Sequence, residues 1–191
     1  MKVQRKKKPQ DVLKNYTKVL GVDPGITGGL AYFGNNEVKA ILMPSKTVKG
    51  WKVDEGKTVK TSIKVIDSKA VLDFIQSVAP DIICIEMVNA WGTDAKQSIL
   101  TSGKRFGVLQ SIFTLLDIPI IEVYSKTWQK AVLGKEDKDK NIAIAYVKEH
   151  YPHIDLQPGR CTTDQNGITD ALCIGKFGLE WCKKSMLAIP V

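Results

Sequence analysis

Apolar residues along this chain fall into short blocks divided by turn residues. Val19-Leu20-Gly21-Val22 is apolar and ends in a lone acid, Asp23; Pro24-Gly25 and Gly28-Gly29 break the pattern before Leu30-Ala31-Tyr32 resumes it. This predicts strand, tight turn, strand. A third strand is predicted over Glu37 to Met43, after a turn at Gly34-Asn35-Asn36, so the first three strands form an antiparallel meander. Residues 44–60 are rich in Lys, Gly and Thr around an isolated Trp51, and they predict a loop. Ala70, Val71, Leu72, Phe74, Ile75 and Val78 recur at helical spacing; Asp67 or Ser68 supplies the cap, and Pro80 lies past the end. Asp81-Ile82-Ile83-Cys84-Ile85-Glu86 is nearly all apolar, the pattern of a central strand covered on both faces. It too ends in a carboxylate.

A polar loop carrying Trp91 then leads to a helix starting at Thr93 or Asp94 and running to about Leu116, with Gly103 and Gly107 on one stripe. Ile118 to Tyr124 predicts another strand. Ser125 caps the segment that follows, which stops at Gly134. The charged run 135–140 enters a helix from Asn141 to about His150. Residues 155–163 read as irregular, and a last helix begins near 164–167 with Asp170 in its first turn. His150 and His153 have no partner at ligand spacing and read as surface residues.

Length and charge narrow the choices. The 191 residues fit one domain, divided here into a flexible basic arm over 1–14 and a folded body over 15–191. Lys and Arg number 28 against 20 acids, a net charge of +8 that favours a polyanionic partner such as nucleic acid. Much of the excess sits in the arm, at Lys2, Arg5, Lys6, Lys7 and Lys8, where a solvated tail is the competing reading. No run approaches the ~18 apolar residues of a membrane span, and the N-terminus lacks an apolar signal core. Cys84, Cys161, Cys173 and Cys182 form no Cys-x-x-Cys pair, as expected of reduced, structural thiols inside a cell.

The chemistry gathers at the acids. Asp23, beside glycines of little bulk, suits close approach of a metal ion or a phosphate; a Gly-rich hairpin with a capping Asp is the plainer alternative. Asp-x-Gly-x-x-Gly-Gly after a strand occurs in RNase H-like nucleases and also in sugar kinases and actin-like ATPases. Those phosphotransferases need a second such domain, which this length does not supply. A Glu ending a buried strand is costly unless a positive group meets it. If the strands ending in Asp23 and Glu86 are neighbours, the two acids converge. Asp170 joins them, or else only favours the helix dipole.

With the elements in this order, residues 17–181 resemble the RuvC-type Holliday junction resolvases of the RNase H-like superfamily, in their phage-like or organellar branch. The matching pieces are Gly-Val-Asp-Pro-Gly at 21–25, Ile-Ile-Cys-Ile-Glu at 82–86, Gly-x-x-x-Gly at 103–107, Thr-Trp-Gln-Lys at 127–130 and Gly-Ile-Thr-Asp-Ala-Leu at 167–172. The resemblance implies an α/β, RNase H-like fold with a mixed five-stranded sheet flanked by helices. It also implies a homodimer, formed through the glycine-containing helix, that binds four-way DNA junctions and nicks two opposing strands. Carboxylates at Asp23, Glu86 and Asp170 suit two Mg²⁺ ions ~3.5–4 Å apart, with Mn²⁺ as a substitute and no nucleotide cofactor. Lys130, Lys138 and Lys140 match by position the lysines the family sets beside its metals. Lys104 and Arg105, with Lys130 and Lys140, are DNA-contact candidates, and Trp91 is a candidate for stacking on an exposed base. Where the family carries Asp or His a turn before the last acid, this chain has Asn166, a neutral ligand. That departure keeps open a junction-binding protein with impaired cleavage, and the carboxylates alone also fit another RNase H-like nuclease. The expected location is intracellular, at DNA: cytoplasm, nucleoid, an organelle or a phage-infected cell.

Overall fold

The computed structural model describes residues 16–88, 96–134 and 141–187. The basic arm, Trp91, the helix start at Thr93 or Asp94, Lys138 and Lys140 lie outside the described residues. In chain order the elements are β1 (Val19–Asp23), β2 (Gly29–Gly34), β3 (Glu37–Leu42), β4 (Ser45–Asp54), β5 (Lys57–Ile66), α1 (Ser68–Val78), β6 (Ile82–Glu86), α2 (Lys96–Leu115), β7 (Ile120–Val123), α3 (Ser125–Leu133), α4 (Asn141–His150) and α5 (Asn166–Leu187).

Five strands form a mixed sheet in the order β3-β2-β1-β6-β7, agreeing with the predicted architecture. The meander is antiparallel, and Asn35 and Asn36 take positive φ in its second turn, as a two-residue hairpin requires. β6 joins β1 in parallel, from Val19↔Ile82 to Val22↔Ile85, and β7 extends the sheet in parallel beyond it. Helices cover both faces. On one, Leu20, Val22, Ile83 and Ile85 pack with Val71 and Ile75 of α1 and Leu109 and Phe113 of α2. On the other, Val19, Ala31 and Cys84 pack with Trp128 of α3, Val147 of α4 and Ile168, Ala171 and Leu172 of α5. Burial from both sides is why the central strands read as unbroken apolar runs. α5 lies close on β1, because a Cβ at Gly21 would overlap the Ala171 carbonyl and the Gly175 amide.

Three local expectations need correction. Residues 44–60 are not a loop: they hold β4 and the start of β5, which pair along their whole length in a two-stranded antiparallel ribbon, turning at Glu55 and Gly56 with φ of 47° and 78°. The Lys-rich stretch obscured an alternation of Val and Thr that favours strand. The ribbon's neck is closed by backbone hydrogen bonds, Met43 N–H to the Gly28 carbonyl and Asp67 N–H to the Pro44 carbonyl, both 2.8 Å. Ser125 does not cap α3 but begins it; the N-cap position is Tyr124, whose backbone is extended and whose side chain makes no capping bond. Asp170 is not in the first turn of α5, because the helix begins at Asn166 and places it fifth. Asp67 does cap α1, through Ala70 N–H, and Gly134 ends α3 with φ of 75°. The buried Cys84, Cys173 and Cys182 are free thiols, as is the half-buried Cys161.

Candidate active site at the carboxylate end of the sheet

β1 and β6 run the same way, so their C-terminal residues emerge at one end of the sheet. Continuing the register past Val22↔Ile85 sets Asp23 beside Glu86. The turn after Asp23 is held by Gly25 N–H donating to Asp23 Oδ1 (3.1 Å) and Gly28 N–H donating to the Gly25 carbonyl (2.9 Å). Gly28 is compact by necessity, since a Cβ there would overlap the Asp23 carbonyl. A short side-chain-to-backbone bond of this kind orients the carboxylate that makes it.

Glu86 is half-buried, and its carboxyl is pushed up to about 7. Burial is the main cause; the indole of Trp128 opposes it, and the nearby Asp23 charge adds to it. Trp128 Nε1–H donates to Glu86 Oε2 at 2.8 Å, and the indole itself is buried in the core beneath α3. Asp23, Glu86, Gly25, Met87, Ser102, Arg105 and Ser125 are among the walls of one pocket of about 260 Å³. Arg105 brings a guanidinium from α2 to a cavity lined by two acids. A cation is what a costly pair of half-buried carboxylates calls for.

The other candidates are spread around this pocket. Asp170 is half-buried on α5, next to the Ala171 carbonyl that lies against Gly21, and does not line the cavity. Asn166 starts α5, whose Gly167 abuts Thr27 and Gly28 of the turn after Asp23. Its Oδ1 is buried and has no hydrogen-bond partner among the described residues. Lys104 is exposed on α2, and Lys130 is exposed in the last turn of α3. Among the described residues no group of three or more His, Cys, Asp or Glu is arranged to hold a metal ion. The donors that do meet, two carboxylates, are hard oxygen ligands of the type Mg²⁺ and Mn²⁺ take.

Sequence reasoning gave no site role to Trp128 or Ser102, and Ser125 only a capping one. Trp128 carried two signals, its place in the Thr-Trp-Gln-Lys motif and its position in a short polar helix just past a strand end. The contact it makes spans 42 positions of sequence, and only the fold supplies that.

A β-meander continued by two parallel strands and flanked by helices is the RNase H-like architecture. Solved structures similar to this chain include RuvC, the protein whose family the motifs resemble. The Thermus thermophilus RuvC structure superposes with a TM-score of 0.53 at 16% identity, over 92% of this chain and 100% of that one. T. thermophilus RuvC in complex with Holliday junction substrate gives 0.56 at 13% identity, over 90% and 98%. No protein-family model and no curated protein sequence matches the chain. At such identities the likeness establishes the shared fold.

Proposed function

We propose that this chain is a structure-selective endonuclease that resolves four-way DNA junctions by divalent-metal-dependent hydrolysis of phosphodiester bonds, acting as a homodimer. The observation that carries the reading is the meeting of Asp23 and Glu86 at the ends of adjacent parallel strands, in a pocket that also takes Arg105. Asp23 and Glu86 would hold Mg²⁺ or Mn²⁺, with Asp170 and the amide oxygen of Asn166 completing the set from α5. Bound there, the ion supplies a water of lowered pKa and offsets charge on the phosphate. The chain's own groups orient the reactants. Gly25 N–H and Trp128 Nε1–H each fix one oxygen of the two carboxylates, and Arg105 offers a planar fork to a phosphate. Lys104, Lys130, Lys138 and Lys140 add positive charge around the scissile strand, and Trp91 stacks on an unpaired base at the junction centre. Residues 1–14 act as a basic arm on DNA beside the nuclease body.

The dimer reading is supported by α2. A Cβ at Gly103 or Gly107 meets nothing within 4 Å, and Leu100 and Val108 are exposed on the same helix. Among the described residues nothing packs on the Cα face of either glycine, which leaves that stripe open to a second copy.

A second reading has its own support. Asn166 brings no charge, and the described residues hold no three-acid group, so a junction-binding protein that cuts poorly fits the same geometry. One experiment separates the two. A labelled four-way junction is incubated with the chain, with Asn166→Asp and with Glu86→Gln in Mg²⁺ or Mn²⁺, beside duplex, flap and RNA-DNA hybrid controls. Paired nicks from the unaltered chain, lost in Glu86→Gln, are expected. Binding with cleavage only in Asn166→Asp would select the second reading, and cutting of the controls in preference to the junction would reject both.

A further inference from the structure

The β4–β5 ribbon has no part in the pocket, yet it carries a large share of the chain's excess charge. Residues 45–66 hold six lysines against two acids, in a chain whose net charge is +8. Each strand is 10 residues long, so the ribbon reaches about 30 Å. Its neck is bonded to Gly28, in the turn after Asp23, so it springs from the carboxylate end of the sheet.

Cross-strand partners share a face, and the face repeats every second rung. Three successive rungs of one face are Trp51↔Lys60, Lys49↔Ser62 and Thr47↔Lys64. Each therefore presents one lysine, alternately from β5 and β4, and the rungs advance along the ribbon by about 6.8 Å. That step is close to the spacing of successive phosphates along a nucleic-acid strand. Trp51 stands on the same face, 65% exposed, with the Lys60 ammonium 5.5 Å from its ring centre. Lys49, Gly50, Trp51, Lys60, Thr61 and Ser62 line a shallow hollow of about 440 Å³ there. A large aromatic left in water beside three regularly spaced cations is the composition of a stacking platform with a phosphate track. The opposite face differs, with Val48, Val59 and Ile63 exposed and no such ladder.

We infer that this face of the ribbon is a second nucleic-acid contact, which grips single-stranded DNA with Lys49, Lys60 and Lys64 on consecutive phosphates and Trp51 under an unpaired base. The inference rests on the DNA-directed reading above for its choice of DNA, but not on metal binding or cleavage. Lys46 is not part of the track: it lies on the opposite face, and its ammonium pairs with Asp67 at 2.9 Å.

The test is fluorescence anisotropy of a labelled oligo(dT) and of a blunt duplex of equal length, in EDTA, across a series of salt concentrations. Trp51→Ala is expected to weaken oligo(dT) binding by about 5- to 150-fold, the worth of one stacked base, with Trp51→Phe largely restoring it. Replacing Lys49, Lys60 and Lys64 by Gln is expected to lower the log–log salt slope for oligo(dT) by about 2, as three released counterions require. Circular dichroism and melting of each variant establish that the fold is kept. Unchanged affinity and slope in the lysine variant would overturn the inference. So would equal losses on duplex and oligo(dT) for Trp51→Ala, which would remove the unpaired base. A chain that fails to cleave junctions yet loses oligo(dT) binding in these variants would refute the nuclease reading and leave the ribbon contact standing.

Discussion

Glu86 is raised from the usual 4.5 to about 7, so the folded chain holds its proton more tightly than the unfolded chain does. Stability from this group is present below about pH 4.5, falls as pH rises, and is lost once pH passes about 7. The span corresponds to roughly 3 kcal/mol. In EDTA, urea denaturation is expected to show the chain weakening from pH 5 to 8, and Glu86→Gln to lack that loss and to exceed the parent at pH 8. Added Mg²⁺ should restore stability at pH 8 to the parent and not to the variant, a readout of metal binding that needs no activity. If Mg²⁺ stabilises both alike, Glu86 is not a ligand. Trp128→Phe removes a hydrogen bond to a carboxylate, so it should cost about 1.5–3 kcal/mol at pH 8 and less at pH 5. Asp23 and Glu86 were legible because each ends an apolar run, where an acid is out of place unless it is used. Arg105 was legible as a cation, but its presence in the pocket depends on how α2 is rotated, which spacing does not give.

Elements were legible where the hydrophobic period was strong. α1 and β6 fall where the pattern puts them, since one has an apolar stripe and caps and the other is apolar throughout. The ribbon was not, because its alternation lies between polar and weakly apolar residues, and no core side of the kind that reveals a strand is present. The contact between α5 and β1 is a feature of elements rather than of any side chain. Gly21→Ala would drive a methyl into the helix backbone, so it should cost about 3 kcal/mol in urea denaturation. It should also move Asp170 relative to Asp23, and activity should fall more than stability accounts for. A loss below about 1 kcal/mol would mean that the helix and strand leave room for a methyl group between them.

At the scale of the whole molecule, the order of strands and helices follows from the sequence, while the assignment of helices to faces does not. α1 and α2 cover one face and α3 to α5 the other, a division decided by handed crossovers between parallel strands. The proposed dimer belongs to this scale. Sedimentation should give twice the chain mass, and Gly107→Arg, at a position open among the described residues, should yield a folded monomer. A dimer unaffected by that change would move the interface elsewhere. The closed neck of the ribbon has a further consequence. Where chain enters and leaves it, backbone hydrogen bonds already join Pro44 to Asp67 and Met43 to Gly28, and of the ribbon itself it is the base, at Ile66, that is buried in the core. Beyond that base the ribbon is a module: descendants of this chain are free to lengthen it, recharge it or shorten it while inheriting the same five-stranded body unchanged.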